Sequence, residues 1–77
     1  MVYKYFSILR PVGPGTYPKE GIVGFHNYNS RIPVAEIDHM AWGFLYYDRQ
    51  LSEKEANNYD LMYAGASDSE HISNEEI

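Results

Sequence analysis

The chain contains no cysteine among its 77 residues. That excludes disulfide staples, thiolate metal sites, thiol nucleophiles and redox motifs, and it argues against a secreted mini-domain, which at this size leans on disulfides. Long hydrophobic runs are also missing. The longest, Met40 to Tyr47, falls far short of the about 20 residues a membrane helix needs. The opening Met-Val-Tyr-Lys-Tyr-Phe has no apolar signal-peptide core, so neither membrane insertion nor secretion is expected and a cytoplasmic address follows. Positive charge is scarce, with 6 Lys and Arg against 11 Asp and Glu and a formal net charge of −5. Length sets the last limit: a chain this short buries only about 60% of its unfolded surface, which excludes two domains and a large internal catalytic cavity.

What the chain has in quantity is aromatic side chains, 16% of its residues, with 8 Tyr, 3 Phe and 1 Trp. The charge is uneven. Residues 66–77 carry Asp68, Glu70, Glu75 and Glu76 without any Lys or Arg. This Ser-rich stretch has too few apolar residues to offset its ordering entropy, and is expected to be an acidic, disordered tail behind a single domain over residues 1–65.

Within that domain, Val2 to Leu9 has strand composition and stops at Arg10-Pro11, where proline removes a ladder donor. Phe6 and Ile8 are expected to face inward. Pro11 to Gly21 holds three prolines and three glycines and reads as a structured loop of turns with Tyr17 at its tip. Strand character resumes over 22–28, with Val23 and Phe25 on one face and Gly24 permitting a bulge. The segment 33–40 is open between a short helix, an irregular arm and an edge strand. Residues 41–48 alternate Trp42, Phe44 and Tyr46 against Gly43, Leu45 and Tyr47, the pattern of a central strand. Ser52 and Glu55 form a capping box ahead of a helix over 52–64 that Gly65 would cap. The expected fold is α+β: a small antiparallel three-stranded sheet packed on one face by the C-terminal helix, with the other aromatic face bare.

Lys4-Tyr5-Phe6-Ser7, Arg10-Pro11-Val12 with Gly15-Thr16-Tyr17-Pro18, Ala41-Trp42-Gly43 with Tyr47, and Leu51-Ser52-Glu53-Lys54-Glu55 with Tyr59-Asp60-Leu61 together form a recognisable pattern. Over residues 3–63 it resembles a family of small proteins and domains of unknown function from mobile genetic elements of Gram-positive gut bacteria, some of them modules of larger defence-against-restriction or polyvalent proteins. The resemblance implies a genomic setting and carries no catalytic or binding residues with it.

The chemistry visible in the residues is thin. His26, His39 and Asp38 have neither the number nor the spacing of a metal site, and Glu36 with Asp38 lacks the walled cleft that paired-carboxylate catalysis requires. The glycines around Lys19 lack the Gly-Lys-Ser/Thr ending of a phosphate loop. No cofactor, metal or catalytic residue is expected, and the protein is read as a non-enzyme. A bare aromatic sheet face is normally an interface, and Tyr and Arg dominate binding hot spots. Tyr3, Tyr5, Arg10, Tyr17 and Tyr47 are therefore the expected interaction residues of an accessory protein-binding module, engaging a protein partner or a second copy in a homodimer. Single-stranded nucleic acid stacking on the same rings is the alternative, and the near-neutral domain with its acidic tail opposes it.

Overall fold

The computed structural model describes residues 1–67. The chain runs β1 (Val2–Ser7), β2 (Ile22–Val34), β3 (His39–Tyr47), α1 (Glu53–Asn58) and β4 (Leu61–Ser67). These form one four-stranded sheet of order β2-β3-β1-β4 with every neighbouring pair antiparallel. The expected three-stranded sheet packed by a C-terminal helix is thus corrected to four strands and a single short helix among the described residues.

The helix starts where the capping box places it. The Glu55 N–H donates to Ser52 Oγ at 3.1 Å, and the Ser52 N–H donates back to Glu55 Oε1 at 3.1 Å. It ends after Asn58, well short of residue 64, because Asn57 and Asn58 are weak helix formers and Asp60 turns left-handed at φ 55°, a conformation short polar residues tolerate. Beyond it the chain is extended. Leu61 joins the core on one face while Ala64 packs on the other, so the last residues of the expected helix divide between the two faces of a strand. Gly65, at φ 107°, is no helix cap: it sits beside the bulge where the β1–β4 register slips between Lys4 and Tyr5. Ala66 and Ser67 of the expected tail belong to β4 and pair with Tyr3 and Val2. The remainder of that tail, residues 68–77, lies outside the described residues.

Alternation along β1 and β3 divides the core in two. On the face carrying α1, Tyr5, Leu45, Tyr47, Val12, Leu51 and Leu61 are buried together, with Tyr3, Tyr17, Ile22, Ala56 and Tyr59 packed around them. On the opposite face Val2, Phe6, Ala41, Phe44 and Tyr46 are buried, flanked by Ile8, Tyr28, Val34 and Ile37. That second face, expected to be bare, is instead covered, because β2 and β3 continue past the sheet as a long hairpin whose end folds back over it. Segment 33–40 is therefore the tip of this hairpin, with Val34 paired to His39 and a four-residue loop that ends in left-handed Asp38 (φ 55°). Beneath the tip, the Lys4 ammonium lies 5.0, 4.6 and 5.7 Å from the ring centres of Phe6, Phe44 and Tyr46, a cation–π arrangement, and Glu36 at the tip is 3.5 Å from it.

The bend depends on Gly43. Between Asn27 and Ile32 the register of β2 slips against Gly43 and Ala41 of β3, and a Cβ on Gly43 would stand 2.2 Å from the His26 carbonyl oxygen and 3.1 Å from Asn27 Cα. Both are backbone atoms and cannot swing aside. Gly43→Ala should therefore cost about 2 kcal/mol or more, in the range of core overpacking. Gly13→Ala, whose Cβ meets nothing within 4 Å, should stay within about 0.5 kcal/mol of the parent in the same urea titration.

Candidate protein-interaction surface

The five sequence-expected interaction residues do not form one surface. Tyr5 and Tyr47 are internal, 2% and 0% exposed, and pack edge to face with ring centres 5.8 Å apart. Each buried hydroxyl has a backbone partner, as buried tyrosines require. Tyr5 accepts from the Leu51 N–H at 2.9 Å, and Tyr47 donates to the Pro18 carbonyl at 2.7 Å. Burial raises the pKa of both hydroxyls, which stay protonated; for Tyr5 the bond from Leu51 opposes that rise. Tyr3 is half-buried against the same cluster. Arg10 is at the surface but ion-paired with Asp60, while its carbonyl accepts from Ser7 Oγ at 2.6 Å. Tyr17, like Tyr3, bridges core and solvent. Aromatic content signalled both roles alike in the sequence, because a ring suits a core between two faces as well as it suits an interface.

Tyr17 is held in place by the chain that follows it. Residues Tyr47, Asp48 and Arg49 at the end of β3 bind successive parts of the Pro/Gly loop: the Tyr47 hydroxyl takes Pro18, the Asp48 N–H donates to the Gly21 carbonyl at 2.9 Å, and Arg49 Nε donates to the Glu20 carbonyl at 3.0 Å. Gly21 is needed there, since it lies at φ 84° and a Cβ would meet Asp48 Oδ1 at 2.7 Å. At the other end of the loop, Thr16 Oγ1 both accepts from the Gly13 N–H and donates to its carbonyl, closing a tight turn.

Arg49 is itself fixed by a two-pronged pair to Glu55, with Nη1 and Nη2 each 2.9 Å from a carboxylate oxygen. The fork matches carboxylate geometry. It joins the capping box of α1 to the loop, so the helix start, the end of β3 and the Tyr17 turn are one bonded unit.

Beside Tyr17 lies the exposed apolar surface of β2. Phe25 and Val23 are 52% and 50% exposed, and the Phe25 ring centre is 6.1 Å from that of Tyr17. Alternation in the sequence puts this pair on one face of the strand, but it does not reveal that β2 is the sheet edge or that the register slips between Ile22 and Gly24; Gly24 was the signal of that bulge. Phe25 pairs with Leu45, on the α1 side of the sheet. Two histidines lie among the described residues: His26 stacks on Phe44 at 5.4 Å and His39 opens β3 at the hairpin tip.

The Glu55 carboxyl is held down to about 2 by the Arg49 fork first and the Ser52 N–H second. A lowered folded-state pKa stabilises the fold fully above the ordinary carboxylate range, and that contribution is lost as pH falls from the ordinary value of 4.5 toward about 2. Glu55→Gln should therefore lower stability at neutral pH and give a shallower decline than the parent across that acid window, read by urea midpoints at each pH.

Among the described residues no helix is long and apolar enough to cross a membrane. No curated protein and no solved structure matches the chain. A family model does: that of defence against restriction A C-terminal matches residues 1–66, which takes in β1, β2, β3, α1 and all of β4 except Ser67. With all but the last described residue inside that match, the chain belongs to the defence against restriction A C-terminal family.

Proposed function

We propose that the chain is a non-catalytic accessory module of a mobile genetic element, acting in the cytoplasm in defence against restriction by binding a protein partner through Val23, Phe25 and Tyr17. The observation that carries this reading is the half-exposed Phe25, with half-exposed Val23 two residues before it on β2, whose ring lies 6.1 Å from that of Tyr17 on a turn that is bonded in place from behind. A rigid apolar patch loses little entropy on docking, which favours association. The partner is a second protein or a second copy of this chain.

Electrostatics support a protein over a nucleic acid as the ligand. Among the described residues Lys4 is ion-paired with Glu36, Arg10 with Asp60 and Arg49 with Glu55, which reduces the cationic surface available for phosphate neutralisation.

The test is a double variant, Val23→Ser with Phe25→Ser, which leaves the buried clusters intact. It should fold as the parent does, by circular dichroism and Trp42 fluorescence, and should lose about tenfold or more in affinity for proteins captured from the native host. Sedimentation at about ten to a hundred micromolar reads self-association in parallel, an ordinary range for weak contacts. Parent-like binding by the double variant would place the interface elsewhere. Micromolar binding to mixed single-stranded DNA or RNA that collapses between about 50 and 200 mM salt would replace the protein reading with a nucleic-acid one.

A further inference from the structure

The hairpin tip covers the second face of the sheet and carries a concavity of its own. Ile32, Pro33 and Val34 pair with Ala41, Met40 and His39. The turn between them is closed by the Ile37 N–H donating to the Val34 carbonyl and the Asp38 N–H to the Ala35 carbonyl, both at 3.3 Å. Half-buried Val34 and Ile37 pack on the cluster of Val2, Phe6, Phe44 and Tyr46, and Glu36 reaches Lys4 at 3.5 Å, so the tip is seated from below. Pro33, Val34, Ala35, Asp38, His39 and Met40 line a shallow, mostly apolar recess of about 450 Å³. All of these but Val34 are exposed.

One charge stands at this recess without a counter-charge. Glu36 is taken by Lys4, whereas the Asp38 carboxylate forms no ion pair among the described residues, and no Lys or Arg lines the recess. A carboxylate beside apolar side chains suits a long aliphatic stem that ends in a cation, which packs its stem and keeps its head at the charge. Arginine fits best, because its planar guanidinium meets a carboxylate through two nitrogens and is weakly hydrated. Met40, 38% exposed, is unbranched and can adapt to the incoming stem. The chain itself offers an occupant of the wrong sign. Its formal net charge is −5, and residues 68–77, which follow Ser67 of β4, hold Asp68, Glu70, Glu75 and Glu76 with no Lys or Arg. Like charge opposes that segment, a second copy and any phosphate-bearing ligand alike.

We propose that the recess between Pro33 and Met40 is a second docking site, which takes an arginine side chain of a basic partner protein, its stem on Pro33, Val34 and Met40 and its guanidinium on the Asp38 carboxylate. The tip packs on the face opposite Phe25, so this site does not depend on the Val23, Phe25 and Tyr17 patch. Asp38 is left-handed at φ 55°, a conformation that asparagine also tolerates, so its charge can be removed while the turn is kept.

NMR titration of the full chain at neutral pH with acetyl-Arg-Leu-amide, and with acetyl-Gln-Leu-amide as the matched neutral probe, tests this. The Arg peptide should shift the amides from Val34 to Met40 and saturate at about millimolar concentration, a strength suited to one side chain. The Gln peptide should bind at least about threefold more weakly, as the loss of an exposed ion pair implies. Asp38→Asn should keep the parent spectrum elsewhere and bind both peptides alike. The Val23→Ser, Phe25→Ser double variant should bind the Arg peptide as the parent does, which separates failure of this site from failure of the apolar patch. No shift at those amides, equal binding of the two peptides by the parent, or an undiminished preference for Arg in Asp38→Asn would overturn the proposal. So would contacts from the Ile72 or Ile77 methyls to Met40, which would make residues 68–77 the occupant. Recess shifts that move with protein concentration alone would make it a second copy and overturn the proposal equally.

Discussion

A missing side chain makes this architecture possible. At Gly43 the backbone of β2 passes so close that no Cβ fits beneath the His26 carbonyl, and at that crossing the long hairpin turns from the plane of the sheet onto its face. A four-stranded sheet with one six-residue helix has more apolar surface than the helix can shield. The bend supplies the second cover from the sheet's own strands. Both clusters follow from it, the one under α1 and the one under the hairpin tip, and with them the burial of aromatic residues on both faces of β1 and β3.

Much of this is written locally in the sequence, and what is not is non-local. The capping box at Ser52 and Glu55 is a four-residue signal and gives the helix start correctly. The helix end is misread because Tyr59, Met62 and Tyr63 satisfy helical spacing while Leu61 and Tyr63 also satisfy alternation; pairing with β1 decides in favour of the strand, and no window around residue 62 contains β1. The strands at 2–9, 22–28 and 41–48 are visible from their composition, but the extension of β2 to Val34 is obscured by Pro33 and by the polar Asn27 to Arg31 stretch, which lies at a register break. The same limit applies to the surface. Tyr5, Tyr17 and Tyr47 are equivalent as letters, and only the partners of their hydroxyls and rings separate internal braces from an exposed contact.

The loop that bears Tyr17 shows how polar and apolar terms divide the work. Apolar burial gathers Val12, Tyr47 and Leu51 without directional preference, whereas the Tyr47 hydroxyl, the Asp48 N–H and the Arg49 fork specify which loop carbonyl goes where. Arg49 is suited to this because its planar guanidinium binds the Glu55 carboxylate through two nitrogens and the Glu20 carbonyl through a third. A lysine could not hold all three positions at once. A defined surface is thereby obtained from a segment that, with its prolines and glycines, has no regular structure of its own.

The interruptions along the outer strands have a further effect on how such molecules behave in a crowd. Among the described residues, β2 and β4 are the sheet's two edges. β2 is broken by two register slips and carries Pro33, and β4 is kinked at Gly65. An uninterrupted edge rich in aromatic residues is a template on which a neighbouring chain can add strand by strand into a filament, and bulges and proline are the devices that deny it a continuous ladder. This sheet can therefore keep an aromatic content suited to amyloid-like stacking and still present contacts made by side chains on a face, rather than by backbone along an edge.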